Sequence, residues 1–156
     1  MTVSRSSRQR PPDSVRSEGV PPRAVRVPPG DPGGLAALVV RIARDDLADI
    51  GGLDAGRLAV IVSDARIADV AAALPEAVPG DQPESLDAPA ALLTVTQAKG
   101  LEFDRVVLAD PAGIIAQSPN GGHDLYVAIT RATHRLTVVH EGDLPASLRS
   151  LAPSAP

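Results

Sequence analysis

The chain has 156 residues, 44% of them hydrophobic, and a net charge of -4, which together allow one domain of ordinary size around one core. There is no cysteine, so disulfides and thiolate metal sites are excluded, and the three histidines lack the spacing of metal ligands. No metal site is therefore predicted. The apolar runs are too short to cross a bilayer, and we expect a cytoplasmic protein without membrane contacts.

Residues 1–30 are predicted to form an extended or disordered arm. They contain six arginines and three proline pairs, and proline removes backbone donors and blocks helices. A transit peptide is a weaker alternative, because the segment has no amphipathic helix. The rest of the chain is correspondingly more acidic, so the composition does not indicate a wholly basic nucleic-acid-binding face.

From residue 31 onward, helical and strand patterns alternate. Asp31 followed by Pro32 is typical of a helix start, and apolar residues then recur at helical spacing. The pattern predicts helices at 32–49, 65–74 and 123–133, a loop at 75–90, and strands at 57–63, 92–96, 106–109 and 136–140. Apolar strands that alternate with helices predict an α/β domain over 31–150, with a parallel sheet covered on both faces and a tail at 151–156.

Residues 94–104, with the sequence TVTQAKGLEFD, leave one predicted strand and enter the next. Polar side chains just beyond the carboxyl end of a strand lie where α/β sheets bind ligands. Lys99, the only lysine in the chain, lies here. On composition alone a surface turn is the more frequent explanation, with Gly100 supplying backbone freedom and Leu101 and Phe103 packing inward.

Residues 124–133, with the sequence DLYVAITRAT, predict an amphipathic helix with Arg131 projecting from its last turn. Taken alone, such an arginine is more often a surface residue near the negative end of the helix dipole. Between the two motifs, Val106 to Asp110 could be mistaken for a Walker B strand. Pro111 follows it where a glutamate would be expected, and we interpret Asp110 as a strand-end residue.

In this order and about thirty residues apart, the two motifs resemble those of the UvrD-like superfamily 1 helicases. AKGLEFD at 98–104 resembles motif V of that family, and LYVAITRA at 125–132 resembles motif VI. A finer resemblance, to the HelD-like ATPases that act on RNA polymerase, rests on residues 14–16, 19–22, 110–111 and 143–148. The resemblance implies the second RecA-like domain of such a motor.

In that family ATP and Mg²⁺ lie between two RecA-like domains. The resemblance implies that Arg131 is the arginine finger, which stabilises the charge that develops on the transferring phosphoryl group. It places Glu102 at the ribose, with Lys99 and Gly100 shaping the same turn. Structural roles within the motifs are expected for Phe103, Tyr126 and Thr130.

The same resemblance assigns Thr94, Thr96 and Gln97 to the phosphates of single-stranded DNA, a contact that positions a strand without reading its sequence. Many UvrD-like proteins carry a histidine where this chain has Thr96. That departure fits an ATPase that moves a partner, as HelD-like proteins do, rather than one that unwinds a duplex.

No Gly-x-x-x-x-Gly-Lys-Ser/Thr motif occurs in the 156 residues. We therefore expect this chain alone to bind ATP weakly and not to hydrolyse it, and to need a domain or chain that carries the phosphate-binding loop. Two alternatives stay open. The chain could be a non-catalytic module that binds nucleic acid or RNA polymerase, or the truncated remnant of a longer gene.

Overall fold

The computed structural model describes residues 21–31, 33–51 and 56–154. The strands are β1 (Arg23–Arg26), β2 (Leu58–Val62), β3 (Val78–Pro79), β4 (Ala90–Leu93), β5 (Phe103–Ala109), β6 (Ala132–His140) and β7 (Ala152–Ser154). The helices are α1 (Gly34–Ile50), α2 (Ile67–Ala73), α3 (Val95–Ala98), α4 (Pro111–Ala116) and α5 (Gly121–Ile129), with short 3₁₀ turns at Asp64–Arg66, Pro83–Leu86 and Ala146–Leu148.

The strands form one sheet in the order β3-β4-β2-β5-β6-β1-β7, and every neighbouring pair is parallel. All carboxyl ends therefore lie along one edge of the sheet, the carboxyl edge, and all amino ends along the other, the amino edge. This confirms the predicted α/β fold with a parallel sheet. No helix in the described ranges is long and apolar enough to cross a membrane.

Two hydrophobic layers cover the two faces of the sheet. Successive side chains of a strand point to opposite faces, so alternate residues of β2 enter different layers. Leu58, Val60 and Val62 pack with α1 and α2, whereas Ala59 and Ile61 pack with α3, α4 and α5. All five β2 residues are fully buried, as expected of a central strand in a sheet covered by helices on both faces.

Both ends of the domain differ from the prediction. Arg23–Arg26, which we predicted within the arm, forms β1 between β6 and β7, and its Ala24 and Val25 are buried. Ala152–Ser154, predicted as tail, forms β7. Two of the three proline pairs, at 21–22 and 28–29, flank β1 and do not interrupt it, so its backbone amides stay available to the sheet. Residues 1–20 of the predicted arm lie outside the described residues.

Three predicted boundaries in the middle of the chain also move. The predicted strand at 92–96 is β4 at Ala90–Leu93, because Thr94 caps α3 instead of extending the strand. The helix predicted at 123–133 ends at Ile129, and Ala132 already belongs to β6. The loop predicted at 75–90 contains β3 and a 3₁₀ turn, and α4 was not predicted.

A buried group of charges fastens α1 to the sheet. Asp46 on α1 is 2% exposed, and its Oδ1 accepts hydrogen bonds from Nη1 of Arg105 at 3.2 Å and of Arg135 at 3.3 Å. The two arginines are neighbours in the register of β5 and β6. Arg105 also donates to the exposed Asp49 at 2.7 Å. Asp46 is thus the buried counter-charge of two arginines.

Two exposed ion pairs predict a loss of stability in acid. The hydrogen bond from Arg105 holds the pKa of Asp49 below its ordinary 3.8, and that from Arg44 holds the pKa of Glu76 below 4.5. Because both folded pKa values are lowered, this stabilisation is fully present above the unfolded pKa values and is lost as pH falls through the folded ones. Calorimetry from pH 7 to about pH 2.5 should show Tm falling below about pH 4.5.

Glu76→Gln should flatten that acid decline, whereas Glu84→Gln, a change at an exposed carboxylate without an ion pair in the described part of the chain, should not. An identical Tm profile for the wild type and Glu76→Gln would contradict the assignment.

Candidate functional site

The first motif runs from the carboxyl edge back to the amino edge of the sheet. Thr94 follows β4 and forms a capping box with Gln97, in which Thr94 Oγ1 accepts from the Gln97 amide at 3.3 Å and Gln97 Oε1 accepts from the Thr94 amide at 3.0 Å. Gly100 turns the chain with a φ of 81°, a conformation that glycine adopts without strain. Phe103 then opens β5 and is buried.

Arg131 lies in the turn between α5 and β6, not in the last turn of the helix where we predicted it. Its guanidinium is folded back onto the chain. It donates from Nη1 to the carbonyl of Leu101 at 3.2 Å and from Nε to the carbonyl of Val127 at 3.1 Å. Nη2 also approaches Thr130 Oγ1 at 3.3 Å. The guanidinium therefore joins the two motifs directly.

Glu102 and Lys99 are exposed on the same turn. Glu102 lines a small surface cavity of about 190 Å³ together with Phe103, Asp104 and Thr133. The carboxylate of Glu102 has no ion-pair or hydrogen-bond partner among the described residues, so it is available to a ligand. Lys99 instead reaches α5, with its Nζ 4.0 Å from Asp124.

Arg57 is a further member of this group that the sequence did not reveal. It precedes β2, and its guanidinium lies 4.9 Å from the centre of the Phe103 ring. Nη2 donates to the carbonyl of Glu102 at 3.0 Å, and the Arg57 amide donates to Asp104 at 2.7 Å. Only the pairing of β2 with β5 brings Arg57 beside Glu102, and no local pattern in the sequence indicates that pairing.

At the amino edge, the guanidinium groups of Arg57 and Arg131 thus contact two consecutive carbonyls, those of Glu102 and Leu101, in the turn that carries the Glu102 carboxylate. Guanidinium groups suit phosphate oxygens, to which they can donate two parallel hydrogen bonds. A carboxylate accepts hydrogen bonds from hydroxyl groups such as those of a sugar. Together these groups can bind a phosphorylated, hydroxyl-bearing ligand.

Part of the chain matches a known protein family. Residues 89–139, which contain both motifs, match the family model described as the UvrD-like helicase C-terminal domain. These residues are therefore similar in sequence to UvrD-like helicase C-terminal domains. No curated protein matches the chain.

We call residues 89–139 the UvrD-like segment. The fold of the chain as a whole is also found in a solved structure. That structure is the C-terminal domain of a possible DNA helicase from Lactobacillus plantarum WCFS1. It is 24% identical in sequence, with a TM-score of 0.66, and the match covers 91% of this chain and 90% of that one. The likeness shows that the two chains share a fold and extends well beyond the UvrD-like segment.

The remaining residues singled out in the UvrD-like segment occupy different surroundings. Phe103 is in the core and the Thr130 hydroxyl donates to the carbonyl of Val127 at 2.8 Å, so both hold the local structure. Tyr126, for which we also predicted a structural role, is 62% exposed and does not belong to the core. Thr96 is exposed beside the capping box, whereas Thr94 and Gln97 bond to each other.

A polar cluster lies on the carboxyl edge, where β2 and β5 end side by side. Asp110 accepts from Ser63 Oγ at 2.6 Å and from the Gly113 amide at 3.2 Å, and Nε of Arg66 lies 3.8 Å away. Arg66 also pairs with Glu141. Asp110 has a φ of 62°, and within the described ranges no other residue except glycine has a positive φ. The predicted strand-end position is confirmed, and Asp110 also caps α4.

Asp110 should therefore be sensitive to substitution. Asp110→Ala removes the cap and the Ser63 bond and leaves an alanine in a left-handed conformation, which should cost about 2 kcal/mol in urea unfolding. Asp110→Asn should cost less, because asparagine tolerates that conformation and retains an acceptor. A smaller loss for alanine than for asparagine would contradict this account.

Proposed function

We propose that this chain supplies one half of an ATP cleft in a UvrD-like DNA helicase or translocase motor. In this proposal Arg131 reaches the γ-phosphate, Glu102 binds the ribose, and another domain or chain holds Mg²⁺ and the phosphate-binding loop. The observation that carries the proposal is the contact of the Arg131 guanidinium with the Leu101 carbonyl, one residue before Glu102.

The contacts of Arg131 suggest how the cleft changes when nucleotide arrives. The guanidinium donates to two neutral carbonyls, and a phosphate oxygen is a stronger acceptor because it is charged. Turning the side chain toward a phosphate therefore exchanges weaker hydrogen bonds for stronger ones. It also releases the Leu101 carbonyl, so that nucleotide binding loosens the turn that leads back to Thr96.

The small number of these hydrogen bonds also predicts that this chain alone binds ATP weakly. Two or three charge-assisted hydrogen bonds contribute about 1.5 to 3 kcal/mol each, before the cost of association is subtracted. The result is an affinity of about millimolar or weaker. We accordingly propose that ATP with Mg²⁺ binds tightly only in the complete motor.

Thr96 is the residue that we propose as the main contact with single-stranded DNA. Its hydroxyl is exposed at the carboxyl edge, while Thr94 and Gln97 hold the capping box that positions it. RNA polymerase is the narrower partner that we propose for a HelD-like motor. Its support is the sequence likeness at residues 14–16, 19–22 and 143–148 together with the threonine at position 96.

The test is ATP hydrolysis by the purified chain, with and without single-stranded DNA and RNA polymerase, and with Arg131→Ala alongside. We expect no turnover above the protein-free blank under any of these conditions. Turnover by the pure chain that disappears in Arg131→Ala would contradict the proposal of a half cleft. If Arg131→Ala still binds RNA polymerase or DNA, and this binding does not depend on nucleotide, the result would favour a non-catalytic binding module instead.

A further inference from the structure

A second cavity lies at the end of the sheet formed by β3 and β4, and the ATP cleft does not use it. It is an open surface cavity of about 250 Å³, lined by residues of the segment 80–86 together with Leu93, Gln97 and Leu101. We call it the 80–86 cavity. β3 is the terminal strand in the order of the described sheet, so an extended chain can approach the cavity from outside.

The polar groups of the cavity are not all used by the fold. Ser85 is 4% exposed and lines the cavity, yet its hydroxyl has no hydrogen-bond partner among the described residues, although its amide donates to the carbonyl of Gln82 at 3.0 Å. Gln97 uses Oε1 in the capping box, and its Nε2 has no acceptor in the described part of the chain. Neither atom is fully buried, because the buried side-chain atoms without a partner in the described residues are Asp46 Oδ2 and Arg135 Nε. The Ser85 hydroxyl and Gln97 Nε2 are therefore accessible and can pair with a ligand.

Three carboxylates set the charge of this surface. Asp81 lines the cavity, and Glu84 and Asp87 lie on the same short segment. Within residues 21–31, 33–51 and 56–154 none of the three takes part in an ion pair. The adjacent cation, Arg57, directs its guanidinium to the backbone carbonyls of Leu86 and Glu102 and not to these carboxylates. The surface therefore attracts cations and repels phosphate.

We propose that the 80–86 cavity binds an arginine side chain presented by an extended segment of a partner protein. The aliphatic stem of arginine packs on apolar walls, here Leu86, Leu93 and Leu101, while its planar head donates several hydrogen bonds. Asp81 and the Ser85 hydroxyl are the acceptors for that head, and Gln97 Nε2 donates to a carbonyl of the partner backbone. This site lies outside the proposed ATP cleft, and Leu101 is the residue that borders both.

The test is a titration of the ¹⁵N-labelled full chain with acetyl-Gly-Arg-Gly-amide, followed through amide chemical shifts. The matched probe contains citrulline, which has nearly the same shape as arginine but no charge. We expect the arginine peptide to shift the amides at 80–87 and at Gln97, and the citrulline peptide to bind at least fivefold more weakly. Equal binding of the two peptides, or shifts spread over all acidic surfaces, would overturn the proposal.

Two variants localise the binding. Asp81→Asn should weaken the arginine peptide at least threefold, and Ser85→Ala should weaken it about twofold. Asp69→Asn, at an exposed carboxylate on α2 that does not line the cavity, should leave the affinity unchanged. If Asp69→Asn weakens binding as much as Asp81→Asn does, the attraction is general electrostatics and the proposal fails.

Two further probes separate other occupants. Thymidine should not shift the amides at 80–87, and a response to thymidine without one to the arginine peptide would show a nucleobase pocket instead. The chain also carries Arg5, Arg8 and Arg10, which could occupy the cavity from within the same molecule. Changing all three to Gln should leave the shifts at 80–87 of the unliganded chain unaltered, and a change there would overturn the assignment to a separate partner.

Discussion

Arg131→Ala is expected to slow ATP turnover about a thousandfold or more in a motor that combines this chain with a phosphate-binding loop. The reason is electrostatic, because a fixed guanidinium stabilises negative charge that grows on the transferring phosphoryl group. Arg131→Lys should recover little of this rate, since an ammonium group cannot make the same planar, two-pronged contact. Steady-state hydrolysis at saturating ATP measures the effect.

The control must separate a lost charge from a damaged fold, because Arg131 also bonds to the carbonyls of Val127 and Leu101. Thermal unfolding of each variant supplies that control, with Arg41→Ala, at an exposed position on α1, as the matched arginine replacement. We expect Arg41→Ala to retain the full rate. A rate for Arg131→Ala within about threefold of wild type would show that Arg131 is not the finger.

Asp46→Ala is expected to destabilise the domain by about 3–5 kcal/mol, a large share of the stability of a domain of this size. The substitution leaves Arg105 and Arg135 without their shared buried counter-charge. Asp49 compensates only in part, because it is exposed and pairs with Arg105 alone. Unfolding in urea should show a lower midpoint, or a chain that is already unfolded without denaturant.

The neighbouring Asp45→Ala serves as the control, because Asp45 is exposed on the same helix and should change stability by no more than about 0.5 kcal/mol. Replacing Asp46, Arg105 and Arg135 together with apolar residues of similar volume should recover much of the loss, as buried ion pairs elsewhere do. Equal effects of Asp46→Ala and Asp45→Ala would contradict the assigned role.

The spacing of apolar residues, together with the glycines and prolines that end each element, predicted most strands of the sheet. β2 and α1 follow directly from an apolar run and from helical spacing that ends at Gly51. β1 was missed because only four residues form it, with proline pairs on both sides. Its strand character depends on burial between β6 and β7, which is a long-range property that a local pattern does not carry.

The site was predicted as two motifs but not as a three-dimensional arrangement. Glu102 and Arg131 were identified by resemblance, and in the structure Arg131 Nη1 donates to the carbonyl of Leu101, the residue before Glu102. Arg57 and the Asp46 group could not be predicted, because each depends on contacts between residues more than forty positions apart. Tyr126, for which the resemblance implied a structural role in its motif, faces outward and does not belong to the core.

The measurement that tests the central claim most directly is a titration of the ¹⁵N-labelled chain with Mg²⁺-ATP at constant ionic strength. We predict shifts confined to the amides at 57, 96–104 and 129–133, with a dissociation constant of about 1 mM or weaker, and their loss in Arg131→Ala. Shifts that appear instead around Ser63 and Asp110 on the carboxyl edge, or no shifts at any concentration, would contradict the account.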